Sequence, residues 1–194
     1  MNNLKELFEI QGGLDSEINK NHPIQPGENR LEKKHVALLV ELGEMFNEWR
    51  AFKFWSTDQK PRTNVDCIAC EGDGTFYYPS AGSETCPGCK GTGKVDKLLG
   101  ELVDCLHFIL SIGLELSVDY ELLTDLMTTM SYQSKGLESS FIRLMQLDWS
   151  FNNYIVGFRL FLGFCVDLGY TWEQVTEAYL IKNQENHYRQ MNGY

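Results

Sequence analysis

The sequence predicts an all-α fold, a bundle of about five or six helices interrupted once by a small cysteine-bearing module. Three observations predict it. Apolar residues recur at helical spacing through most of the 194 residues. No convincing strand pattern occurs outside one stretch rich in Gly, Pro and Cys. Capping chemistry sits where periodic segments begin and end.

Leu4, Leu7, Phe8, Leu14 and Ile18 place a first helix over residues 3–20, ended by a turn-forming stretch with Pro23, Pro26 and Gly27. Val36, Leu39, Leu42, Phe46 and Trp49 carry a second helix over 31–50, followed by the aromatic-basic run Phe52-Lys53-Phe54-Trp55-Ser56. Between Asp58 and Lys94 the helical period disappears, which marks a module of its own rather than a plain connection. The chain therefore divides into a helical core, 1–57 and 95–194, and an insert, 58–94. A strongly apolar third helix is expected over 96–116, then helices over 118–131, 138–148 and 150–168 with Gly169 as the C-cap. Thr171-Trp-Glu-Gln174 has the form of a capping box, so the last helix starts there and runs to about Gln190.

A composition of 43% hydrophobic and 12% aromatic residues supports one substantial core plus a small appendage. Apolar stretches such as Cys105–Ile112 and Ile155–Val166 fall short of the roughly 18–20 residues of a membrane span. The N-terminus lacks the basic start and apolar run of a signal peptide, so a cytoplasmic protein is expected. A formal net charge of −10 counts against stable binding to nucleic acid or anionic membranes. An acidic chain handling a polyanionic substrate needs cations in its site.

Four of the six cysteines form two copies of Cys-x-x-Cys-x-Gly-x-Gly, at Cys67, Cys70 and at Cys86, Cys89. Four thiolates suit one tetrahedral Zn²⁺, and the glycines permit turns that aim amide N–H groups at sulfur. The half-motif resembles the zinc-binding repeats of DnaJ-type chaperones, which carry four copies where this chain has two, so the resemblance implies zinc and not chaperone activity. A redox dithiol is the rival reading of each pair. With four protein ligands the zinc would be structural, and the module could rigidify its connection, contact another subunit or dock a partner. Cys105 and Cys165 lie in apolar helical stretches, as small core residues.

Glu41, Glu44 and Glu48 fall at i, i+3 and i+7, within a stripe roughly 60° wide on the second helix at about 100° per residue. Glu101 and Asp104 repeat the i, i+3 spacing amid the apolar residues of the third. Solvated helix faces would explain single acids. Two acid pairs on packed helices would instead repel each other unless divalent ions lay between them, and such oxygen ligands suit Mg²⁺ or Mn²⁺. Lys182, Asn186 and Arg189 share one face of the last helix, either as surface charges or as a cradle for phosphates.

Glu41-Leu-Gly-Glu44, Asn47-Glu48-Trp49-Arg50, Phe52-Lys53-Phe54-Trp55-Ser56, Glu101-Leu-Val-Asp104-Cys-Leu-His107 and the segment from Tyr179 to Tyr194 resemble, in this order, the dimeric all-α dUTPases of Gram-positive bacteria and their phages. These belong to the all-α NTP pyrophosphohydrolase superfamily that includes the MazG-like enzymes. The resemblance spans most of the chain apart from the insert, which departs from the family's shorter connection. It implies Mg²⁺-dependent hydrolysis of dUTP to dUMP and pyrophosphate by a homodimer. Glu41, Glu44, Glu101 and Asp104 would bind the ions, Glu44 would deprotonate the attacking water, and Glu48 would stand in reserve. Lys182, Arg189 and Asn186 would bind phosphates, with Lys53 as a further cation. Gln11 would meet the uracil edge, Trp55 would form an apolar wall, and Asn183 would approach the nucleoside. His107 would either support the metal ligands or be a satisfied core histidine. Two alternatives remain open: a related enzyme acting on dCTP or another nucleotide, and a non-enzymatic protein that docks a partner through the zinc insert.

Overall fold

A computed structural model describes residues 4–78, 82–119, 123 and 136–193. Among these residues the chain forms six α-helices and four short strands. Helix α1 spans Leu4–Asn21 and α2 spans Arg30–Trp49. The insert follows, with β1 at Val65–Asp66, a single 3-10 turn at Ile68–Cys70, β2 at Thr75–Tyr78, β3 at Gly82–Thr85 and β4 at Lys94–Val95. Then come α3 at Lys97–Glu115, α4 at Leu137–Met145, α5 at Phe151–Asp167 and α6 at Trp172–Met191. The architecture is all-α, as the apolar periodicity predicts, and the described strands lie in the insert, β4 reaching one residue past it to Val95. The helix expected over 118–131 falls almost wholly outside the described residues.

Local chemistry sets the helix ends. Asn29 caps α2 by accepting from the Glu32 amide at 3.2 Å, and Asp96 caps α3 by accepting from the Leu99 amide at 2.8 Å. Thr171 and Gln174 form the reciprocal capping box of α6. Gly169, at φ +85°, ends α5: its N–H donates to Val166 and that of Tyr170 to Cys165. Helix α4 stops three residues earlier than its period suggests. Its last turn tightens as the Leu147 amide donates to the Leu144 carbonyl, which swings Leu147 against α5 at Gly157.

Helix α3 is the axis of the core, with eleven of its nineteen residues buried. It packs along α2 on one side and against α1 and α6 on the other, and it also meets α5. The α2–α3 seam is apolar, built from Leu38, Leu42 and Met45 of α2 and Leu98, Leu102, Cys105 and Leu106 of α3, all buried in one continuous cluster. Burial of each such side chain contributes roughly 1.5–3 kcal/mol.

Gly113 lets three helices close on one another. A Cβ there would lie 2.5 Å from the Tyr154 hydroxyl of α5 and 2.8 Å from Phe8 of α1. Tyr154 is fully buried, and its hydroxyl donates to the Ile109 carbonyl at 2.9 Å, so it has no free direction in which to retreat. Gly113→Ala is expected to destabilise the fold by about 1–3 kcal/mol despite alanine's better helix propensity. Urea denaturation checks this; a variant as stable as the parent would refute the close-approach argument.

Candidate active site and cysteine cluster

In the insert, β1 pairs antiparallel with β4 and β2 with β3, which folds the two cysteine motifs onto each other. The Cys67 amide donates to the Gly93 carbonyl at 2.9 Å and the Cys86 amide to the Gly74 carbonyl at 2.8 Å, so each motif is tied to the other in the same way. The glycines are required by this contact. A Cβ on Gly74 would lie 2.4 Å from the Gly91 carbonyl oxygen, and one on Gly93 would lie 2.1 Å from that of Gly72. Gly74 and Gly93 also donate their amides to the sulfurs of Cys70 and Cys89, at 3.1 and 3.2 Å.

All four sulfurs lie within 4.8 Å of one another and all four cysteines are buried. The Cys67–Cys86 and Cys70–Cys89 separations are 3.9 and 3.6 Å. Thiolates on a tetrahedron with zinc–sulfur bonds of about 2.3 Å stand about 3.8 Å apart, whereas a disulfide requires about 2.05 Å. The donor set therefore fits one Zn²⁺. Among the described residues outside the cysteines, only Phe76 and Val95 pack against this small core, so little apolar burial holds it together.

On the helical core, the α2–α3 seam brings the acids of the two helices together. Carboxylate oxygens of Glu41, Glu101 and Asp104 all lie within 4.8 Å of one another. Burial pushes the Glu41 carboxyl up to about 7, and the charges of Asp104, Glu44 and Glu101 push it in the same direction against the pull of Lys182. Burial likewise raises Glu101, with Asp104 and Glu44 adding to it. Asp104 is raised by burial and held back by Lys182, whose ammonium donates to it at 2.8 Å. Crowded carboxylates of this kind ionise more readily when a cation lies among them. Oxygen donors from two helices fit a hard divalent ion.

Glu44 is exposed on the same stripe, outside the close trio, yet near enough for its charge to bear on Glu41 and Glu101. Glu48, one turn further on, lies 3.7 Å from the Arg62 guanidinium in the segment that leads into β1. The Arg62 amide donates to the Glu48 carbonyl and the Arg62 carbonyl accepts from Lys97, so the start of the insert is clamped across the ends of α2 and α3.

Beside the acids opens a cavity of about 440 Å³ between α1, α2, α3 and α6, a size suited to a small ligand. Glu41 and Asp104 line it with Lys182, Asn186 and Arg189 of α6, and Arg30, Lys33 and Lys34 of α2 add three cations that sequence reasoning passed over. Gln11, Asp15, His107 and Ser111 form its polar floor. Gln11 is buried at 3% exposure. Its Nε2 donates to Asp15 at 2.7 Å, while its Oε1 accepts from Tyr179 at 2.8 Å and meets His107 Nδ1 at 2.9 Å. Asp15 accepts in addition from Ser111 at 2.6 Å and pairs with Lys34 at 3.1 Å. Asp15 stands four residues after Gln11 on α1, a spacing that could have flagged it. Nothing local links either residue to Ser111 or Lys34.

Not every expected residue reaches the cavity within one chain. Asn183 is buried on α6 outside the cavity lining. Trp55 is 66% exposed, with its ring edge-on to Phe52 and Phe54, and Lys53 donates to Asn47 and lies over the Phe52 ring. Both sit beyond the C-terminus of α2, away from the cavity lining.

Residues 3–69 and 89–194 match the family described as dUTPase. The chain belongs to the dUTPase family. It is accordingly a hydrolase that acts on dUTP, a dUTP diphosphatase with an all-α core. The dUTPase match skips residues 70–88, which lie inside the cysteine module. Comparison with curated proteins finds no match. No single helix among the described residues is long and apolar enough to cross a membrane.

The module's sulfur geometry carries its own prediction. The purified chain should contain about one zinc, by elemental analysis, and a Cys70→Ser, Cys86→Ser double variant should lose it while dUTP turnover stays close to that of the parent. Full zinc retention would refute the four-cysteine site, and loss of turnover would refute a purely structural role.

Proposed function

We propose that this dUTPase cleaves dUTP between its α- and β-phosphates with Mg²⁺, or Mn²⁺, held by Glu41, Glu44, Glu101 and Asp104, and that zinc on Cys67, Cys70, Cys86 and Cys89 only shapes the 58–94 insert. The observation that carries the reading is the convergence of Glu41, Glu101 and Asp104 from two helices at the edge of a cation-lined cavity. A divalent ion bound there neutralises phosphate charge and lowers the pKa of water.

The chain's own residues supply the rest. Lys182 and Arg189, with the Asn186 amide, face the cavity and hold the phosphate chain; Lys182 is shared with Asp104, which keeps its ammonium aimed inward. Glu44, more exposed than its neighbours, is free to accept the proton of the attacking water, and Glu48 stands in reserve. The water oxygen bonds to phosphorus, the bridging P–O bond breaks, and pyrophosphate departs with the electron pair. Gln11 offers its amide to the uracil edge. No covalent intermediate with the protein is needed.

Glu44→Gln should lower kcat for pyrophosphate release from dUTP by roughly 10²–10⁴-fold while leaving binding of a non-hydrolysable analogue nearly intact. Parent-like turnover would remove Glu44 from its role. Comparing turnover of dUTP, dCTP, dTTP and UTP separates the dUTPase reading from a broader pyrophosphohydrolase.

The raised Glu41 carboxyl gives a pH signature. Its folded value of about 7 exceeds the ordinary 4.5, so in metal-free protein its contribution to stability is complete below about pH 4.5 and is lost as pH rises through about 7. Metal binds the ionised form. The metal-free Tm should therefore fall between about pH 4.5 and 7 and level off above, and the stabilisation added by Mg²⁺ should grow over the same interval. A Mg²⁺ effect independent of pH would contradict the shared acid site.

The homodimer is proposed on the family pattern and on Phe54 and Trp55, 86% and 66% exposed, which a second copy would cover and which would place Trp55 and Lys53 against a nucleotide in the partner. Sedimentation should give twice the 22.3 kDa of one chain, and Phe54→Asp should shift it toward the monomer. A monomeric parent chain would end this reading.

A further inference from the structure

The proposed chemistry leaves one group in the cavity unexplained. His107 is 5% exposed, lines the cavity, and its Nε2 is fully enclosed with no hydrogen-bond partner among the described residues. Its Nδ1 faces Gln11 Oε1 at 2.9 Å, and its ring stacks on Tyr179 with centroids 4.2 Å apart. A buried nitrogen without a partner costs free energy unless a ligand completes it.

The hydrogen-bond chain fixes which kind of ligand group that is. Lys34 and the Ser111 hydroxyl both approach Asp15 Oδ2, leaving Oδ1 to accept from Gln11. A carboxylate only accepts, so the Gln11 group facing Asp15 is its NH₂. The carbonyl end of Gln11 must then face Tyr179 and His107, and both of these must donate to it. Burial, with the Asp15 charge adding, holds the Tyr179 phenol well above its usual range, so it keeps its proton. His107 must carry its proton on Nδ1, and burial, with the nearby Lys182 charge, pushes the imidazole down to about 3, so the ring stays neutral. A neutral ring protonated on Nδ1 presents a bare lone pair at Nε2. Gln11, for its part, has one N–H hydrogen committed to Asp15 and a second with no partner among the described residues.

The floor of the cavity therefore offers an acceptor and a donor on adjoining side chains. Uracil presents the complementary pair, the N3–H donor beside a carbonyl oxygen. Cytosine presents the reverse, a bare N3 beside an amino group. Resting on the reading of this chain as a dUTP diphosphatase, we infer that His107 is a specificity-determining residue whose Nε2 accepts the uracil N3–H while Gln11 donates to the adjacent carbonyl. Tyr179, Asp15, Ser111 and Lys34 are positioning residues for that pair: they set the direction of the Gln11 amide and, through it, the tautomer of His107. A cytosine in the same place would set two lone pairs against each other and two N–H groups against each other, the mismatch that a hydrogen-bonding site rejects most strongly.

The test uses the Mg²⁺-loaded chain labelled with ¹⁵N-histidine, and the α,β-imido analogues of dUTP and dCTP, whose binding calorimetry confirms. His107 is one of four histidines and its signals are assigned with His107→Phe. The free chain should show a protonated Nδ1 and a bare Nε2. The dUTP analogue should move Nε2 toward a hydrogen-bonded nitrogen, and the dCTP analogue should leave it in place. A protonated Nε2 in the free chain, a silent Nε2 with the dUTP analogue bound, or equal movement with both analogues would overturn the assignment; the last would put the ring against the sugar. In parallel, His107→Phe and Tyr179→Phe should each reduce the kcat/KM preference for dUTP over dCTP, by roughly 10- to 100-fold for His107→Phe. Parent-like selectivity in His107→Phe would overturn it as well. A chain that hydrolyses dUTP but fails these tests loses only the role of His107, whereas one that neither binds the dUTP analogue nor hydrolyses dUTP loses the functional reading beneath it.

Discussion

The apolar seam between α2 and α3 is the contact on which the rest of the molecule depends. Leu38, Leu42 and Met45 cannot reach Leu98, Leu102 and Leu106 without also bringing Glu41 toward Glu101 and Asp104, because the acids share the edges of the same two helix faces. Several buried aliphatic side chains at roughly 1.5–3 kcal/mol each outweigh the repulsion of a few partly solvated carboxylates. Hydrophobic packing thus holds like charges together, and the strain appears as carboxyl groups that resist losing their protons. A divalent ion held among them would relieve that strain. The site is built so that the fold, not the ligand, supplies the cost of assembling it.

A second set of polar contacts gives direction to the same cavity. Lys34, Asp15, Gln11, Tyr179 and His107 come from four different helices, yet their hydrogen bonds form one continuous chain. Such buried networks hold side chains in a single arrangement only when each member is satisfied. Here, among the described residues, His107 Nε2 and one N–H of Gln11 are left over, and both residues line the cavity. In the proposed reading the acids and cations of the cavity address the phosphates, and the amide and imidazole address the base. The cysteine module sits outside both, attached through Arg62 to the ends of α2 and α3 and held by its four sulfurs more than by any apolar core.

Much of this was legible in the sequence because the relevant periods are short. The i, i+3 acids of α2 and α3, the Thr171 and Gln174 capping box and the paired Cys-x-x-Cys-x-Gly-x-Gly motifs each declare themselves within eight residues. What sequence reasoning missed depends on contacts across the chain. Ser111 meets Asp15 and His107 meets Gln11 across a separation of 96 positions, and Tyr179 meets Gln11 across 168. No local pattern encodes such meetings. Arg30, Lys33 and Lys34 read as ordinary surface cations of a helix start until α1 and α6 wall off the cavity beside them. Lys53 and Trp55 belong to a recognisable motif, but one chain alone does not bring them to the cavity lining.

Mn²⁺ binding followed by electron paramagnetic resonance addresses the central claim most directly, since free and bound ion are counted without reference to turnover. The parent chain should take up Mn²⁺ at the helical core, whereas a chain with Glu41→Gln and Asp104→Asn, one substitution on each side of the α2–α3 seam, should lose that uptake while keeping its fold and its zinc. Undiminished Mn²⁺ binding by the doubly substituted chain would contradict a shared ion between the two helices.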